Sequence, residues 1–144
     1  MSRYRNSDKM YQRVNNNDID NSESNSHGND NEYEIITSLE QKKRILESNR
    51  LVLIDVYGSW CQPCTMIAPM FVELIRKYKH LVNKGVYLCK EDVDKRLTED
   101  CTAVPMFCFY LDGVKIDHIN GGNMKDVEDK LLKYIKVLNE YNNK

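Results

Sequence analysis

The 144-residue sequence lacks three features that would assign it to a class at once: a long apolar run, an excess of charge of one sign and an even set of cysteines. No apolar stretch approaches the roughly 18 residues that a membrane span needs, and the N-terminus has no short apolar core of a secretory signal. A soluble, intracellular protein is expected, cytoplasmic if its source is a cell. The 21 Lys and Arg nearly cancel the 22 Asp and Glu, leaving a formal net charge of −1 and no electrostatic reason to expect nucleic acid or an anionic membrane as a partner. Five cysteines (Cys61, Cys64, Cys89, Cys101 and Cys108) are an odd number, which does not suggest a disulfide-stapled secreted scaffold. The length suits one domain.

Residues 1–32 are rich in Asn, Ser and Asp and have too little apolar surface to offset the entropy of ordering, so a disordered tail is expected there. Such Asn-rich tracts also arise from AT-rich coding genomes. A large DNA virus is one such source, in which case a virion location is open.

The pattern changes at Tyr33. Tyr33–Thr37 has the composition of a short strand, and Ser38 is placed to cap a helix through about Ser48, with Gln41 completing a capping box. Leu51–Tyr57 is apolar apart from Asp55, which suits a strand buried on both faces. Cys61 to about His80 follows as a helix that Pro69 should kink. A third strand is expected over Val86–Val93 and a short helical piece over Leu97–Asp100. Met106–Leu111 and Val114–Ile119 flank Asp112-Gly113, a strong hairpin signal. After Gly121-Gly122, the apolar positions Val127, Leu131, Leu132, Ile135 and Leu138 recur at helical spacing. This order predicts an α/β domain, residues 33–144, with a central mixed sheet flanked by helices on both faces. The helix carrying Cys61 starts at the carboxyl end of a central strand, where function usually sits.

The run Trp60-Cys61-Gln62-Pro63-Cys64 carries the chemistry. A thiolate is the nucleophile, and the first turn of a helix supplies unpaired N–H donors and the positive end of the dipole, both favouring ionised Cys61. Cys64, one turn on, can attack a mixed disulfide formed on Cys61, so it is the expected resolving thiol, the more buried of the two. Pro63 fits a first turn, where its missing donor would have no partner. A carboxylate buried in a strand, as at Asp55, should have a raised pKa and could exchange the Cys64 proton during resolution. The alternative is an acid that merely satisfies backbone donors at a strand end.

Together these residues resemble the thioredoxin family, the family best known for Cys-x-x-Cys chemistry. The similarity covers residues 33–144 and runs through Leu53 to Cys64, Met66 to Pro69, Asp92-Val93-Asp94, Val104-Pro105, Asp112-Gly113 and Gly121. It implies a thioredoxin fold in which Pro105 follows a cis peptide bond facing the cysteines, leaving the Val104 backbone free to pair with an extended substrate. Trp60, Gln62, Pro63, Val104, Pro105 and Gly121 would then border the substrate groove. Lys90 matches a position whose amine approaches the buried Asp in some members, where it would pull the Asp55 pKa down; the alternative is a solvated lysine at a strand end. The implied activity is thiol-disulfide exchange, reducing disulfides of client proteins through a reversible Cys61–Cys64 disulfide. Electrons would come from a thioredoxin-reductase-like partner, with no bound cofactor or metal and a monomeric chain.

Four departures from the family pattern stand out. Gln62 replaces the commoner Gly between the cysteines, and Met106 follows the proline where Thr is frequent. Glu91 occupies a usually apolar strand position, which predicts a more exposed face, and the segment from Asp94 to Pro105 is short, which predicts a curtailed third helix. The rival functions are a zinc site built on Cys61 and Cys64, a protein-binding module with incidental redox activity, and a net disulfide oxidase or isomerase. Cys89 and Cys108 read as buried apolar residues and Cys101 as the most exposed of the three remaining thiols. His27, His80 and His118 have no ligand spacing, and Met66, Met70 and Phe71 read as core packing.

Overall fold

The computed structural model describes residues 33–142; the polar segment 1–32, with His27, lies outside the described residues. Five strands, β1 (Ile35–Ile36), β2 (Leu51–Tyr57), β3 (Val86–Asp92), β4 (Met106–Leu111) and β5 (Val114–Asn120), form one sheet in the order β1-β3-β2-β4-β5. The first three run parallel, while β4 pairs antiparallel with β2 and β5 antiparallel with β4. Three α-helices accompany them: α1 (Leu39–Ser48), α2 (Gln62–Tyr78) and α3 (Met124–Asn142).

Six successive buried residues in β2 are what a strand covered on both faces requires, since alternate side chains enter opposite cores. On one face Phe71 of α2 meets Phe107 of β4 with ring centroids 5.7 Å apart, and Tyr134 of α3 meets Phe109 at 5.5 Å. On the other face Ile45 of α1 packs with Val52, Ile54, Val56, Cys89, Met106, Cys108 and Tyr110. Each large side chain buried in these two cores contributes about 1.5–3 kcal/mol of transfer free energy.

Local signals set the ends of the elements. Ser38 caps α1, its hydroxyl accepting from the Gln41 N–H at 3.1 Å. Gln41 reaches back one residue further than in a capping box, accepting from the Thr37 N–H at 2.8 Å. The Asp112-Gly113 turn has φ of 50° and 85°, the two positive angles of a type I′ hairpin, which glycine adopts without steric cost. Asn123 closes the N-terminus of α3 by accepting from the Asp126 N–H at 3.2 Å.

Several expected boundaries shift. The first strand shrinks to two residues, and the helix over 61–80 becomes α2, with Cys61 as its cap and a 3-10 turn Lys79–Lys84 after it. The α2 helix continues through Pro69 for 17 residues. No helix forms over Leu97–Asp100. The helical turn lies instead at Val93–Lys95, capped by Asp92 and ended by Arg96 in the left-handed region, φ 56°. The segment from Arg96 to Pro105 has no regular structure, so the third helix is curtailed as the short spacing implied.

Glu91 is a correction. It is fully buried rather than on an exposed face, because Lys42 of α1 reaches it with Nζ 2.8 Å from Oε1. Lys42 also donates to the Leu97 carbonyl and the Thr98 hydroxyl, both at 3.0 Å, and that hydroxyl donates to Glu91 Oε2 at 2.5 Å. Burial alone would lower the Lys42 pKa, yet the Glu91 carboxylate outweighs it and holds the ammonium above its ordinary value. A charge network thus fastens the irregular segment to α1 and the sheet.

Candidate functional site

The central strand β2 ends at Tyr57, and a turn over residues 58–61, closed by the Cys61 N–H donating to the Gly58 carbonyl at 3.1 Å, swings the chain into α2. Cys61 is therefore the N-cap rather than the first helical residue. It is extended, at φ −89° and ψ 112°, and its sulfur accepts from the Cys64 N–H at 3.1 Å. Pro63 sits in the first turn, where no donor is needed. Cys61 and Cys64 form a disulfide with Cα atoms 5.3 Å apart. Both residues are 5% exposed, so the expected difference in burial is absent in the oxidised protein.

The Val104–Pro105 bond is cis, and the Val104 carbonyl oxygen lies 3.8 Å from Cys61 Sγ. Pro105 is buried, and its own carbonyl accepts from the Gly121 N–H at 2.9 Å, which joins the start of β4 to the loop after β5. Gln62 and Pro63 are exposed beside the disulfide. Trp60 is 66% exposed, with Nε1 donating to both carboxylate oxygens of Asp94 at 3.2 and 3.3 Å.

Asp55 is 1% exposed, and its Oδ1 has no hydrogen-bond partner. Burial pushes its pKa up to about 7, against the pull of the Lys90 ammonium. Lys90 is the residue directly opposite Asp55 in the β2–β3 ladder, and it too is buried, its Nζ 4.4 Å from the centre of the Tyr57 ring. The other neighbour of Asp55 in the sheet is Phe107, the residue on which Phe71 of α2 packs. The acid thus lies on the face of β2 that α2 covers.

Sequence reasoning missed two residues here. Asp94, which anchors Trp60, is 34 positions away, and nothing local marks such a pair. Gly58, beneath the indole, reads as an ordinary turn glycine. Met66 and Met70 are a further correction, being 70% and 52% exposed, whereas Phe71 is in the core as expected. His80 and His118 are exposed. Among the described residues no three His, Cys, Asp or Glu side chains come together as metal ligands. A groove of about 790 Å³ between α1, Leu97 and the Asp112-Gly113 turn shares no lining residue with this site.

The family model named Thioredoxin matches residues 32–136. A thioredoxin H-type of Brassica campestris is 38% identical over 99 residues, covering 66% of this chain and 76% of the relative. Thioredoxin H4 of Arabidopsis thaliana is 35% identical over 101 residues, covering 67% and 82%. Among solved structures, a thioredoxin of Plasmodium falciparum superposes with a TM-score of 0.62 at 32% identity, over 69% of this chain and 97% of that one. Their shared fold is the expected one, a mixed five-stranded sheet with helices on both faces. The chain belongs to the thioredoxin family, and with its Cys61–Cys64 disulfide it is a protein thiol-disulfide oxidoreductase.

Proposed function

We infer that the protein works as a reductase of protein disulfides in which Cys61 attacks and Cys64 resolves. The observation that carries this assignment is the Cys64 N–H aimed at Cys61 Sγ from 3.1 Å at the N-terminus of α2. In the dithiol state the same donor and the helix dipole stabilise a thiolate on Cys61 and do not act on Cys64 in that way.

The Cys61 thiolate attacks one sulfur of the client disulfide, and the other client sulfur leaves as a thiolate that takes up a proton. Cys64 then loses its proton to Asp55, directly or through water, and attacks Cys61 Sγ. The second client sulfur leaves as a thiolate and takes up the proton that Asp55 returns, directly or through water, so the client becomes a dithiol and the Cys61–Cys64 disulfide remains. Two electrons and two protons from a thioredoxin-reductase-like partner restore the dithiol. An acid whose pKa is close to 7 suits this exchange, because it can both take and return a proton near neutrality. Lys90 keeps that pKa from rising further.

Trp60, Gln62, Pro63, Val104, Pro105 and Gly121 form the client-facing surface in this account. The proximity of the Val104 carbonyl to Cys61 supports it, since a main-chain acceptor there can hold an extended client against the reacting sulfur. A cytoplasmic monomer, with no resident cofactor or metal, completes the proposal. Turnover of a protein disulfide tests it: Cys61→Ser should abolish reduction, whereas a protein that only binds its partners would keep its function without Cys61.

A further inference from the structure

Glu91 is a carboxylate buried in the sheet, and the groups it binds lead toward the active site. The irregular segment that begins at Arg96 ends on Val104, whose carbonyl oxygen lies 3.8 Å from Cys61 Sγ. Its own backbone holds it weakly, since the Cys101 N–H reaches the Thr98 carbonyl only at 3.5 Å. Leu97, Cys101 and Val104 pack against the core on the α1 face, a non-directional contact that sets the depth of the segment and not its position along the surface. Asp100 pairs with Lys115 of β5 at 2.9 Å, but Asp100 is exposed and such a pair adds little. The strong directional bonds come from one cluster. Lys42 Nζ donates to the Leu97 carbonyl and the Thr98 hydroxyl, that hydroxyl donates to Glu91 Oε2, and Lys42 and Glu91 are both buried.

We propose that Thr98, held by Lys42 and Glu91, is a positioning residue that fixes the approach to Val104 and so keeps its main-chain acceptor in place for an extended client. This rests on the assignment of Val104 and Pro105 to the client-facing surface. Downstream, Pro105 is tied to the loop after β5 through its bond from the Gly121 N–H, so Val104 lies in a short stretch between two anchors. The upstream anchor is rigid because neither charge can leave the other without being stranded in the core. Thr98 joins the segment to both, accepting from the ammonium and donating to the carboxylate. Without the hydroxyl, residues 97–104 open more often, and each client must order the segment as it binds. The three side chains act through the segment and supply no reacting group, so binding weakens and the thiol chemistry does not.

The test uses the full-length protein with insulin as client and dithiothreitol as reductant. Thr98→Val keeps the shape of the side chain and removes its bonds; it should raise KM about fivefold with kcat changed less than about twofold. Amide hydrogen exchange at Cys101 and Val104 should quicken in the same variant. Thr98→Ser, which keeps the hydroxyl, should stay within about twofold of the parent in both readouts. In Lys42→Met/Glu91→Leu no charge is stranded, so stability returns, yet the bonds to Leu97 and Thr98 are gone and the raised KM should persist. This double variant also serves if Thr98→Val does not fold. Unchanged exchange in folded Thr98→Val, a KM that returns to the parent value along with stability in the double variant, or equal damage in Thr98→Ser and Thr98→Val would overturn the proposal. So would quickened exchange with an unmoved KM when Pro105→Ala, which disturbs the client surface directly, does raise KM. If Pro105→Ala also leaves KM at the parent value, it is the client-surface assignment that fails.

Discussion

Asp55 and Lys90 lie directly opposite one another in the β2–β3 ladder, a carboxylate and an ammonium both buried on the face that α2 covers. Their opposition leaves the acid with a pKa of about 7, because desolvation outweighs the pull of the cation. Resolution of the mixed disulfide should therefore speed up as pH rises through about 7, the range in which Asp55 becomes a base. In Asp55→Asn that rise should vanish and the step should slow by about 10²-fold, the lower end of what a positioned general base provides. Stopped-flow measurement of client release across pH checks both.

The same residue makes the protein less stable. Between 3.8 and about 7 the folded state holds a proton on Asp55 that the unfolded chain has lost, so stability falls as pH rises through this window. The accumulated cost above pH 7 is up to about 4 kcal/mol. Asp55→Asn in the oxidised protein should thus be more stable than the parent above neutral pH and no more stable in acid below the lower value. Urea unfolding at the two extremes measures the difference.

Lys90→Leu removes the charge that restrains Asp55, so the pH at which resolution accelerates should move upward. The double variant Asp55→Asn/Lys90→Leu should show no such inflection. An inflection unmoved in Lys90→Leu would mean that the lysine does not act on the acid.

The strand, turn and capped helix around the cysteines were legible because each rests on local rules: an unbroken apolar strand, a proline tolerated in a first turn, a hairpin dipeptide. The depth of Asp55 followed from its place in an apolar run. The closeness of Val104-Pro105 to Cys61 came only through family resemblance, since no local pattern encodes a contact 43 residues apart. Glu91 was misread for the same reason: a lone acid in a strand signals exposure unless its partner is known, and Lys42 sits on a different element. The helical turn was misplaced because a three-residue 3-10 piece depends on one capping side chain, Asp92, rather than on any periodicity.

Lys42 and Glu91 supply a prediction about stability. Their side chains are 7% and 1% exposed, so removing one leaves the other charged and buried. Lys42→Met should cost about 3–5 kcal/mol, and Lys42→Met/Glu91→Leu should recover most of it, because two apolar groups leave no stranded charge. Chemical denaturation of both variants checks the sign of the recovery.

The three remaining thiols should differ in reactivity. Cys89 and Cys108 are buried and burial raises both pKa values, that of Cys108 to about 12. Cys101 is partly exposed, and burial raises its pKa too. Iodoacetamide on the native, oxidised protein should label Cys101 alone, more slowly than an unstructured cysteine, without loss of reductase activity. Mass spectrometry of the labelled protein locates the adduct.

The division of labour between the two active-site thiols is tested most directly by trapping. A reduced Cys64→Ser variant exposed to a client disulfide should accumulate a covalent mixed disulfide whose only attachment point is Cys61, stable until an external thiol releases it. Failure of that species to form, or its appearance instead on Cys64 in the Cys61→Ser variant, would contradict the assignment of Cys61 as the attacking thiol.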